Sequence, residues 1–284
     1  MPATELRDNV SRVKQSSPAG KSVFVGLRAA DVFWQYSLLS RGWGIQLIET
    51  LGGHAVPASL VLRPLTLARL QPYYGLVTLL ALGSSLKQII HIIFVSEQAM
   101  DVGSGITIAF FNTVFNTINT VLSVWMLTSP VGLGLDSPNL LRSLRSPQIA
   151  LGLGLYTMGI VIEAVSEFQR MAFKRDPQNK GKPYGGGLFS LATNINYGAY
   201  TLWRGAYALT CGGLIWGATT FGFFFRDFAT RGVPVLDEYL LQRVRLTAQH
   251  LCWMVPNDNF LPQYGDAYRQ IQARVRYSLI PGIY

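Results

Sequence analysis

The chain has 284 residues, of which 49% are hydrophobic and only 14% charged, with a formal charge of +9. A soluble domain holds about a quarter of its residues as charged ones, so this chain has too little polar surface for a water-soluble globule of its size. The basic excess falls between apolar windows rather than in one patch, so membrane orientation accounts for it and nucleic acid is not needed.

In chain order, residues 1–21 are polar and read as a cytosolic tail without the apolar core of a cleaved signal peptide. Residues 23–48 form the first and weakest apolar window. Arg28, Asp31 and Arg41 inside it suggest that it lies partly in the membrane interface. Windows 73–95, 106–127, 149–162, 197–215 and 214–225 follow with few charges; a bilayer crossing needs about 20 mostly apolar residues. The last two abut at Cys211-Gly212-Gly213, where a tight turn between two short spans is expected. The fold class is therefore an all-α polytopic membrane helix bundle with five to seven transmembrane helices and a short cytosolic helical tail. Residues 22–284 are read as a single membrane domain.

If all six windows cross, the basic segments before the first, after the fourth (Lys174, Arg175, Lys180, Lys182) and after the last (from Arg226 to Arg276) share one side. The positive-inside rule makes that side cytosolic, with both termini on it, and the endoplasmic reticulum is the expected membrane. Cys211 and Cys252 build no disulfide framework, and His54, His91 and His250 lack metal-ligand spacing. No metal is expected.

Two windows carry polar stripes. Ser84, Lys87, Gln88 and His91 recur at spacings of three and four, as do Asn112, Asn116 and Asn119 with Thr113, Thr117 and Thr120 beside them. Such faces line a cavity or bond neighbouring helices. Helix bonding is the better reading of the Asn/Thr stripe. Lys87, read as lying near midspan, and His91 are the candidate catalytic proton donors.

The densest polar chemistry lies between Glu163 and Gly205. Glu163, Glu167 and Arg170 share a helical face. Lys174, Arg175, Lys180 and Lys182 follow in a loop closed by Gly185-Gly186-Gly187, and a second apolar window opens at Asn196-Tyr197. Clustered cations suit phosphate, and glycines let a backbone approach a ligand closely; a basic loop also follows from membrane orientation alone. The triplets Gly132–Gly134 and Gly152–Gly154 lack the strand–turn–helix context of a dinucleotide fold.

The run from Glu163 to Lys174, then Asn179-Lys180-Gly181, Gly187-Leu188-Phe189, Asn196-Tyr197, Trp203 and Gly205, resembles the C-terminal half of the steroid 5-alpha-reductase-like superfamily. The tail, Tyr264-Gly265-Asp266-Ala267-Tyr268 and Ile280-Pro281-Gly282-Ile283-Tyr284, is similar to that superfamily's ending, so that residues 163–284 carry the likeness. The resemblance implies NADPH bound from the cytosolic side and reduction of a carbon–carbon double bond conjugated to a carbonyl, in a steroid, terpenoid or lipid substrate. The cofactor-binding positions it implies are Glu167, Arg170, Lys174, Asn179, Lys182, Asn196, Tyr197 and Tyr268.

Three departures stand out. Related membrane proteins read Ser-Arg-His-Pro-Asn-Tyr where this chain has Ala192-Thr193-Asn194-Ile195-Asn196-Tyr197, and the glutamate expected four residues after Asn196 is Tyr200. A lost arginine removes a bidentate phosphate contact that threonine cannot replace. Isoprenylcysteine and phospholipid methyltransferases, which use S-adenosylmethionine, share this layout and also carry Arg-His-Pro. Methyl transfer is the alternative activity, and a non-catalytic membrane protein the third. Residues 244–263 interrupt an otherwise continuous amphipathic helix and read as a retained in-frame intron or a loop insert.

Overall fold

The computed structural model describes residues 13–63, 69–131, 146–241 and 263–284. The chain divides into two compact units. Ser11–Ile160 with Leu202–Gly222 forms a helical bundle, and Val161–Thr201 with Phe223–Tyr284 forms a second unit. Among the described residues the regular structure is helical, as composition requires. Four helices, Pro72–Val95, Val102–Val124, Pro147–Arg175 and Ile195–Leu241, are long and apolar enough to cross a membrane.

In the bundle, α1 (Pro18–Ser40) opens with proline in its first turn, where the missing N–H costs nothing. It stops where Gly42 takes φ +73, a left-handed conformation open to glycine. The chain turns into α2 (Trp43–Thr50), then a single turn α3 (Ala58–Val61), α4 (Pro72–Ile90) and a π-helical turn His91–Val95. Next comes α5 (Val102–Val124), capped by Asp101, whose carboxylate accepts from the Ser104 amide at 2.9 Å. The amide and hydroxyl of Ser104 hold the Asp101 carboxyl below its ordinary pKa. The first part of α6 (Pro147–Arg175) and the middle of α7 (Ile195–Asp227) complete this unit.

The first window, 23–48, falls on α1 and most of α2. Arg28, Asp31 and Gln35 fall at i, i+3 and i+7 of α1, and all three are buried. Arg28 pairs with Asp31 (Nη1 to Oδ2, 3.0 Å) and donates to the Ser85 hydroxyl of α4 at 2.8 Å. Asp31 also accepts from Gln35 (2.7 Å) and from Asn116 of α5 (2.7 Å). Gln35 accepts from Thr120 at 2.7 Å, and Arg204 of α7 donates to Asn116 at 3.5 Å. Charges among apolar helices persist when they are paired. These residues pair with one another inside the bundle.

The Asn/Thr stripe is interhelical, as expected. Asn112 accepts from Gln88 of α4 at 2.8 Å and Asn119 from the Trp216 indole at 2.7 Å, on either side of the Asn116 contact with Asp31.

The turn expected at Cys211-Gly212-Gly213 is present. Gly213 alone within α7 is non-helical, at φ 76 and ψ −175, and the helix folds back there as a hairpin. A Cβ on Gly217 would lie 2.8 Å from Leu209 Cβ, and one on Gly205 2.8 Å from Phe221 Cβ. Backbones approach this closely only across small residues. Farther along, Tyr197 stacks on Phe228 (centroids 4.7 Å, 7° between planes) and Tyr200 meets Phe224 edge-on. Helix continues through 228–241.

Candidate functional site

The second unit is built on the last four turns of α6. Glu163 and Glu167 are buried there, and Arg170 places its guanidinium 5.2 Å over the ring of Phe189. Gln169 accepts the Leu188 amide at 2.9 Å, drawing the loop after α6 back onto the helix. Gly187 sits at φ +51 against Gln169 and Tyr184, where a side chain has neither room nor favourable backbone. The Tyr184 ring lies between Phe173 (4.8 Å) and Phe189 (5.7 Å). Phe189, Ala192 and Ile195 form a buried cluster that also takes Ile162, Leu188 and Tyr277.

The C-terminal segment braces the same loop. From α8 (Gln263–Arg274), Arg274 donates to the Gly185 carbonyl at 2.8 Å. The amides of Thr193 and Asn194 donate to the carbonyls of Tyr277 (3.0 Å) and Ser278 (2.8 Å). Gly198 faces the Leu279 carbonyl with no space for a Cβ. The Tyr284 carbonyl in turn accepts from the amides of Ser278, Leu279 and Ile280.

Asn196 lies in the first turn of α7, only 5% exposed, and its side-chain amide has no hydrogen-bond partner among the described residues. Its amide atoms are not sealed from solvent, so the position can meet a ligand. Ile162 and Ile195, the sequence neighbours of Glu163 and Asn196, belong to one packed cluster.

All eight residues of the expected cofactor set fall in this unit, whereas Lys87 and His91 fall in the bundle. Lys174 and Lys182 are exposed, and Asn179 is half-buried beside Asp176. Tyr197 is engaged in the stack on Phe228, and the Tyr268 hydroxyl donates to Asp237 at 2.5 Å. Lys87 is buried in the last turn of α4, eight residues before the end of the candidate span Pro72–Val95. His91 begins the π-helical turn, its carbonyl accepting the Ser96 amide at 2.8 Å.

The departures have structural uses. Tyr200, in place of the glutamate, packs edge-on to Phe224 and Phe228 in the hairpin. The Asn194 side chain donates to the Thr193 hydroxyl at 3.1 Å. Among the described residues no group of three His, Cys, Asp or Glu side chains could hold a metal. The insert at 244–263 lies outside the described residues, save Gln263, which opens α8. Gln169 and the Arg28–Asp31–Gln35 set were missed. For the latter the i, i+3, i+7 spacing was the available signal.

Residues 96–243 match the model of a family described as "Protein of unknown function (DUF1295)", which is steroid 5-alpha-reductase-like. The match starts well before the region where the likeness was read, and stops short of the tail. Among curated proteins, the "Probable O-methyltransferase ustE" of Ustilaginoidea virens is 36% identical over 235 residues, 81% of each chain. No solved structure matches. The chain belongs to the DUF1295 family.

Proposed function

We propose that this member of the DUF1295 family is a membrane-embedded methyltransferase that uses S-adenosylmethionine and acts on a hydroxyl of a hydrophobic acceptor. The observation that carries this reading is the 36% identity, across four-fifths of both chains, with a protein named a probable O-methyltransferase. The donor set fits the cofactor. Glu163, Glu167 and the unpartnered Asn196 suit a ligand bearing a positive charge and ribose hydroxyls. When bound, S-adenosylmethionine supplies an electrophilic methyl group on a positively charged sulfur.

The protein's tasks are to hold that charge beside carboxylates, to keep water out, and to take the proton the acceptor hydroxyl gives up. Glu163 and Glu167 are the buried carboxylates of this unit among the described residues, and so the candidates for offsetting charge and for accepting that proton at a carboxylate oxygen. Asn196 would orient the cofactor through its amide. Arg170, held over Phe189, suits a carboxylate or phosphate at the unit's edge.

NADPH-dependent reduction of a hydrophobic enone is the second reading, favoured by the steroid 5-alpha-reductase-like family. Here Lys174 and Lys182, both exposed beside the loop, would meet phosphate, with Asn196 near the nicotinamide end. Both readings draw a soluble cofactor from the cytosol and a substrate from the bilayer. Both therefore put the basic loop on the cytosolic face, in the endoplasmic reticulum.

Thermal unfolding of the detergent-purified protein with each cofactor tests the choice, since a ligand bound to the native state raises its stability. S-adenosylmethionine should raise the midpoint and NADPH should not. In Asn196→Ala the affinity should fall about tenfold, equivalent to about 1.4 kcal/mol. A shift with NADPH alone replaces the first reading with the second; a shift with neither supports a non-catalytic member of the fold.

A further inference from the structure

Helix α2 presents three distinct faces. Gly44 and Ile48 are buried, Gly44 against the Leu38 carbonyl of α1 and Val124 of α5. Trp43, Leu47 and Leu51, spaced i, i+4 and i+8, are 37%, 42% and 78% exposed. Gln46, Glu49 and Thr50 are also exposed, and at about 100° per residue they occupy the remaining arc. A helix wholly in water has no use for the second face, and one wholly in hydrocarbon has none for the third.

The surroundings fix its level. After α2 the chain is tied to the C-terminal end of α5, a helix of membrane-crossing length: the Val56 amide donates to the Val124 carbonyl (2.8 Å) and the Met126 amide to the His54 carbonyl (2.9 Å). At its other end, Arg41 lies 5.0 Å over the Trp43 ring, and the Trp34 and Trp43 rings are 6.0 Å apart. Tryptophan and arginine gather where hydrocarbon gives way to headgroups. The apolar face is also continuous with exposed Phe33 and Trp34 on α1.

We infer that α2 is an interfacial helix whose partner is the phospholipid of one leaflet, with Trp43, Leu47 and Leu51 in the acyl boundary and Gln46, Glu49 and Thr50 in water. This does not depend on which cofactor the other unit binds. It gives the weakly apolar α1 an anchor in the bilayer surface beyond its hydrogen bonds to α4 and α5.

The test uses the full-length chain carrying Cys252→Ser, with buried Cys211 retained, and one added cysteine at a time: Leu47→Cys, Leu51→Cys, Gln46→Cys or Glu49→Cys. Each is labelled with a bimane and reconstituted in phosphatidylcholine vesicles permeabilised to ions. Brominated acyl chains should quench labels at 47 and 51 several-fold more than labels at 46 and 49, and iodide should show the reverse order. Two exposed positions per face keep the comparison readable if one variant misfolds. Iodide quenching at 47 and 51 equal to that at 46 and 49 overturns the inference. So does quenching at 47 and 51 by neither agent, which would mean that a second copy or another protein covers the face.

Discussion

The polar residues around Asp31 and those around Asn196 both sit among apolar helices, yet they use their hydrogen-bonding capacity differently. Each Asp31 oxygen accepts from a buried neighbour, and its partners Gln35 and Asn116 bond onward to Thr120 and Arg204. Asn196 is also buried as a residue, but its amide forms no bond to another side chain among the described residues and is not sealed from solvent. The first arrangement ties four helices together. The second is built by the surrounding loop and left open. Where a membrane protein buries polarity, bonds between helices mark what holds the fold, and polar atoms that solvent still reaches mark what can meet a ligand.

The largest effect expected from this contrast is that of Asp31→Leu. It strands Arg28, Gln35 and Asn116 as donors and should lower stability by about 3–5 kcal/mol, read as a drop in the thermal midpoint in detergent. Replacing Arg28 with Met as well should recover part of that loss, because no lone charge remains. Asn196→Ala, by contrast, should leave the midpoint of the unliganded protein unchanged and affect only cofactor binding. Equal losses in the two variants would erase the distinction.

A smaller effect tests the hairpin. Gly217→Ala sets a methyl against the Leu209 backbone and should cost roughly 1–3 kcal/mol. Gly222→Ala, with open space at its Cβ, should keep or raise the midpoint. Smallest is the α5 cap. The Asp101 carboxyl is held below its ordinary pKa, so its stabilising contribution is present above the ordinary carboxylate range and is lost as pH falls through the lowered value. Asp101→Ala should therefore lower the midpoint slightly at neutral pH, and the difference should close on acidification.

The helical membrane architecture was legible because hydropathy windows report burial in lipid directly, and Gly212-Gly213 marked the hairpin because few other residues permit that turn. The Asn/Thr stripe could be read because its i, i+4, i+7 spacing fixes one face. The pairing of Arg28 with Asp31 could not be read, because an average over a window counts each charge as a cost and only the fold brings the two together. The eight cofactor positions fall in one unit, but their individual uses could not be read from order alone. Tyr197 and Tyr268 take part in packing and in a bond to Asp237, while Asn196 stays open.

The reversal at Gly213 also settles a matter of parity. Tyr197 stacks on Phe228, so the chain leaves the hairpin at the end where it entered, whatever the number of crossings before it. Lys182 and Arg231, on either side of the hairpin, should therefore share a membrane face. A reporter fused after Asp227 must give the same sidedness as one placed before Ile195, even in a chain from which the whole hairpin has been deleted.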